Sequence, residues 1–106
     1  MEEGAIDVCN FDASWSGGAT SWRRMAATAR LYSVELAHHE EPHVAVHLLA
    51  SQPHGTYVEV FHPDRDPIWW QLIANRPPLV EGQMSLPTES GFGWMLDSDF
   101  IERYRV

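Results

Sequence analysis

A chain of 106 residues with 44% hydrophobic content is enough for one domain and too apolar for wholesale disorder. A net charge of −8, with only seven Lys and Arg, leaves out the cationic footprint that a nucleic-acid backbone demands. No apolar run approaches the ~20 residues that span a bilayer, MEEGAIDVCN lacks the basic and apolar regions of a signal peptide, and the lone Cys9 allows no internal disulfide, so the expectation is a soluble, cytoplasmic domain.

Short apolar runs alternate with helical periodicity along the chain. AIDVC (Ala5 to Cys9), bounded by Gly4 and Asn10, reads as a strand. The glycine turn WSGGATS follows, and then a helix of about three turns from near Thr20. Its buried side is expected to carry Trp22, Met25, Ala26, Ala29 and Leu31. VELA (Val34 to Ala37) is a second strand. Pro42 sits where a first-turn proline belongs, and PHVAVHLLASQ reads as a helix ending before Pro53. TYVEVF (Thr56 to Phe61) is a third strand, rich in β-branched and aromatic residues. PIWWQLIAN gives a short helix that stops before Pro77 and Pro78.

The tail has another character. LVEGQMSL predicts a small hairpin around Glu81 and Gly82, and GFGWML a loop or extended piece. Asp99-x-x-Glu102 has the spacing to cap a last helix carrying Phe100, Ile101 and Tyr104. Strand and helix repeated three times imply βαβ units, hence an α/β fold with a parallel sheet. Such a sheet leaves two unpaired edges, and these strands are apolar enough to want cover on both faces. Five tryptophans point to a partner surface as well as a core. The chain also starts on a strand almost at once, as if cut from something longer.

Four of the six histidines, His38, His39, His43 and His47, fall within ten residues. His43 and His47 are four apart on a helix, yet the glutamate of a His-Glu-x-x-His zinc motif is missing, and no convincing third ligand is in sight. Packing inside the helix is the simpler account of both. His38 and His39 sit where a strand gives way to a loop, the position at which parallel α/β folds meet their ligands. The first strand runs out at Asp12 and the third carries Glu59, so three strand ends offer Asp, His and Glu. A histidine oriented by a carboxylate exchanges protons near neutrality. The blander reading is a turn-capping Asp12, a solvated His39 and a water-facing Glu59.

These residues in this order resemble the C-terminal third of the mandelate racemase/muconate lactonizing enzymes of the enolase superfamily. Gly17 and Gly18 follow Asp12 at five and six residues, with Trp22 after them. His39 lies eight residues before His47-Leu48-Leu49, and Glu59 comes twenty residues after His39. RPPLVEGQMSLP and GFGWMLDSDFIERYR complete the likeness, which runs from about Gly4 to Val106.

The resemblance implies a partial TIM-type (β/α)7β barrel. Residues 1–76 would supply strands six to eight with their helices, and residues 77–106 a tail returning to a capping domain. By the same resemblance His39 is the strand-seven base, Asp12 the aspartate that orients it, and Glu59 the strand-eight acid beside the substrate carboxylate. His38 has no assigned role. The family abstracts a proton α to a carboxylate with Mg2+ stabilising the enediolate. Its metal ligands, a lysine base on an earlier strand and the capping domain have no counterparts here. The expectation is therefore part of an acid-sugar dehydratase, inactive as the isolated chain, acting on a sugar-acid carboxylate once the rest of the barrel is present. Racemase, epimerase or cycloisomerase activity is the nearest alternative. A self-associating non-catalytic half-barrel and a small histidine-cluster metal protein are alternatives of other classes.

Overall fold

The computed structural model describes residues 1–106, apart from the side chains of Ile68 and Trp69. It divides into two compact units, Met1–Val60 and Phe61–Val106. The first unit runs β1 (Val8–Asn10), α1 (Gly18–Leu31), β2 (Glu35–His38), α2 (Pro42–Ala50) and β3 (Gly55–Val58). Its three strands form a parallel sheet in the order β1-β2-β3, as the βαβ reading requires. The first strand starts later than the AIDVC pattern suggests, because pairing begins where Val8 meets Glu35.

Gly17 and Gly18, at φ of 88° and 85°, make the left-handed turn into α1 that a side chain would resist. Trp22, Ala26 and Ala29 form the buried stripe of that helix. Met25 and Leu31 do not belong to it, with exposures of 42% and 83%. The two alanines bring the helix close to the sheet, so the stripe is narrow. Leu31 lies two residues beyond Ala29, roughly 200° round the helix and facing away.

The core joins Trp22, Ala26 and Ala29 to Ala13, Val34, Leu36 and Leu49, with Cys9, Phe11 and Val58 packed against them. Side chains alternate along a strand, and that alternation sorts the three strand ends. Cys9 and Phe11, Leu36 and His38, and Val58 turn toward the helices. Asp12, His39 and Glu59 come one residue later and turn to the opposite face. Two bonds carry the parallel ladder past the strand ends: His39 N–H donates to the Phe11 carbonyl at 3.4 Å, and Glu59 N–H to the His38 carbonyl at 3.0 Å.

Pro42 occupies the first turn of α2, as expected. At the other end of that helix a Cβ on Gly55 would stand 2.5 Å from the Leu49 carbonyl oxygen, so β3 passes closer to α2 than any other residue permits.

The second unit holds α3 (Pro67–Leu72), β4 (Leu79–Val80), β5 (Gln83–Met84) and α4 (Ser98–Tyr104). β4 and β5 pair antiparallel around Glu81 and Gly82, the expected hairpin. Asn75 stitches the GFGWML loop in place: its side-chain amide donates to the Gly93 carbonyl at 2.8 Å and its carbonyl accepts from Met95 N–H at 2.7 Å. The cap of α4 corrects the expectation of Asp99. Asp97 lies in extended backbone just ahead of the helix and its carboxylate accepts from Phe100 N–H at 2.8 Å, the geometry an N-cap needs. No helix among the described residues is long and apolar enough to cross a membrane.

Candidate active site

Asp12, His39 and Glu59 stand together beyond the carboxyl ends of β1, β2 and β3. Parallel strands in register, all cut off at one level, put the residues that follow them on a common rim. His39 Nδ1 lies 3.3 Å from Asp12 Oδ2. The other Asp12 oxygen accepts the Trp15 N–H at 2.6 Å, which pins the carboxylate so that Oδ2 faces the ring. Asp12 is buried, whereas the His39 side chain is 44% exposed and the Glu59 side chain 39%. The pair therefore has a sheltered carboxylate and an accessible imidazole.

With Nδ1–H donated to Asp12, Nε2 is left as the basic nitrogen on the open side. Glu59 Oε2 stands 3.5 Å from it, and Glu40 Oε1 3.8 Å. The Glu40 N–H donates to Glu59 Oε2 at 3.2 Å and so fixes the carboxylate it flanks. Sequence reasoning passed over Glu40. The signal was present in its place directly after His39 at the loop entrance. Glu40 and Glu41 both adopt left-handed backbone, at φ of 54° and 48°. That conformation is unfavourable for residues with a side chain and persists only where the surroundings impose it. One such constraint is the Ser14 hydroxyl, which donates to Glu41 Oε2 at 2.7 Å and ties the loop after β2 to the loop after β1.

The remaining histidines of the cluster go elsewhere. His43 is buried in α2 and His47 half-buried there. His38 is buried under α1, on the far face of the sheet from His39. Among the described residues no group of three or more His, Cys, Asp or Glu is placed to hold a metal ion.

Residues 1–100 match the family model described as enolase C-terminal domain-like. A mandelate racemase/muconate lactonizing enzyme from a marine actinobacterium, solved in complex with magnesium, is 62% identical with a TM-score of 0.93, over 99% of this chain and 30% of that one. L-talarate dehydratase from Polaromonas, complexed with magnesium and L-glucarate, is 29% identical with a TM-score of 0.80, over 95% of this chain and 27% of that one. The 3,6-anhydro-alpha-L-galactonate cycloisomerase of Streptomyces coelicolor is 31% identical over 100% of this chain and 28% of its own length. The chain thus spans less than a third of the proteins it matches. Those likenesses bear out the expected fold class, an α/β part of a TIM-type barrel.

Proposed function

Because the chain belongs to the enolase C-terminal domain-like family, we propose that His39 exchanges a proton with the carbon α to a carboxylate in a hydroxylated sugar acid. The observation that carries this reading is the placing of Asp12, His39 and Glu59 on three successive strand ends, with Nδ1 held by a buried carboxylate and Nε2 turned toward Glu59 on a half-exposed ring. Nε2 takes the α-proton, and the Asp12 carboxylate stabilises the imidazolium that forms. Glu59, when protonated, donates a hydrogen bond to the substrate carboxylate as negative charge builds on it. Returning the proton to a departing β-hydroxyl releases water and leaves an enol that becomes a 2-keto acid, which is dehydration.

Relatives of this chain bind magnesium, and the family's use of that ion is proposed for the whole protein, with ligands outside these residues. The remainder of the barrel is the proposed partner that supplies them. By itself the chain is expected to turn over no substrate.

A second reading, cycloisomerisation, is favoured by the likeness to the Streptomyces coelicolor enzyme. It begins with the same proton transfer and differs in the product, so product analysis separates the two. The shared step is tested in a protein that carries these residues within a complete barrel, by following α-deuteration of sugar acids in D2O. His39→Asn and Asp12→Asn are each expected to slow exchange by about 10²–10⁴-fold. Undiminished exchange in His39→Asn would sink the assignment.

A further inference from the structure

We propose that His38, to which the reaction gives no part, is a positioning residue that holds the Asp12–His39 pair together through the backbone of both strand ends. The inference rests on the reading of His39 as the reactive imidazole. His38 is 0% exposed and cannot touch a substrate. Its ring is nonetheless fully engaged. Nε2 accepts the Ala13 N–H at 3.1 Å, and Nδ1–H is shared between the carbonyls of His39 at 2.9 Å and Glu40 at 3.2 Å.

Each of those partners adjoins the site. Ala13 follows Asp12, and the two carbonyls belong to His39 itself and to the residue whose N–H holds Glu59. One buried ring therefore joins the loop after β1 to the loop after β2. The partners also fix its state: an acceptor at Nε2 and a donor at Nδ1 define a single neutral tautomer. A proton added at Nε2 would face the Ala13 N–H and break the link. Stacking on Trp22, with ring centroids 5.9 Å apart, and of Trp22 on Phe11 at 5.6 Å, holds the plane of the ring, and the three hydrogen bonds set its orientation within that plane.

The Asp12–His39 contact is at the long end for a hydrogen bond at 3.3 Å. A small displacement of either loop would open it. The left-handed Glu40–Glu41 backbone raises that danger, since it holds only where neighbours impose it, and the His38 Nδ1–H is bonded inside that segment.

The test reads the tautomer of His39 by long-range 1H–15N NMR in the 15N-labelled chain without substrate. His39 is expected with its proton on Nδ1. His38→Phe keeps a flat ring against Trp22 and removes all three hydrogen bonds. The ratio of Nδ1–H to Nε2–H at His39 is then expected to fall about fivefold or more, the scale of one lost hydrogen bond. His38→Gln, whose carboxamide reaches as far as Nε2, can again accept from Ala13 N–H and is expected to restore part of the ratio. A variant that lost only stability would keep the tautomer, and an unchanged ratio in folded His38→Phe overturns the proposal. Should that variant fail to fold, His38→Gln and His38→Asn decide, the second keeping a donor for the two carbonyls without the acceptor for Ala13. Wild-type ratios in both would refute the role. Because no substrate enters this measurement, a failed exchange assay on His39→Asn and a failed tautomer shift remain separate results.

Discussion

Neighbouring residues of one type take opposite parts in this protein. His38 and His39 differ by one position on a strand, and a strand period of two sends the first under α1 and the second to the open face. His54, further along, serves α1: its Nε2–H donates to the Ala26 carbonyl at 3.0 Å. Cys9 is a further case where surroundings decide character. Burial beside the core raises its thiol above the ordinary range, against a smaller opposing pull from the N-terminal charge. A raised thiol pKa means less thiolate near neutrality, so alkylation of Cys9 at pH 7–8 is expected to run slower than that of a short cysteine peptide, as timed iodoacetamide labelling would reveal. The sign for stability follows. The folded state holds the thiol proton more tightly, so this contribution is complete below the unfolded thiol's pKa and is lost as pH rises through the folded value.

At the scale of elements, small residues set how closely helix and sheet approach. Ala26 and Ala29 let α1 lie against β2, where Leu36 is fully buried. Gly55 plays the corresponding part between α2 and β3. Gly55→Ala would drive its methyl into the Leu49 carbonyl, a backbone atom with no side chain to swing aside. The expected loss is about 1–3 kcal/mol, the usual scale of overpacking, measurable as a lower midpoint in urea unfolding. Equal stability would mean that β3 can slide outward freely. Helix ends show a similar dependence on setting. Asp97, placed in extended backbone, caps α4 with its carboxylate, whereas α1 and α2 begin on left-handed Gly17 and Glu41 with no side-chain cap. These two helices rely on burial of one face more than on capping.

For the molecule as a whole, the sheet of the first unit is the telling feature. Among the described residues, β2 is paired on both sides, while β1 and β3 are each paired on one side. Unpaired edges invite another strand. The proposed barrel remainder would satisfy them; in its absence, copies of the chain are expected to associate. Light scattering over a range of concentrations tests this, and a clean monomer at the highest concentration would contradict it.

Hydrophobic periodicity, with the turn and proline signals at Gly17, Pro42 and Gly82, determined the order and type of the main elements, the parallel sheet and the small hairpin, because strands and helices print their repeat directly on the chain. The strand-end positions brought forward Asp12, His39 and Glu59 as the residues to watch, and resemblance to a known family gave them roles. Neither could say where a strand starts to pair, which is why β1 begins at Val8 rather than Ala5. Nor could they tell that Asp97, whose N–H is held by the Leu72 carbonyl, and not Asp99, caps α4. Those outcomes depend on contacts between segments far apart in sequence. The same holds for His38: twenty-five residues separate it from the Ala13 N–H it accepts. Only the meeting of two strand ends in space turns that histidine from one of a cluster into the link between them.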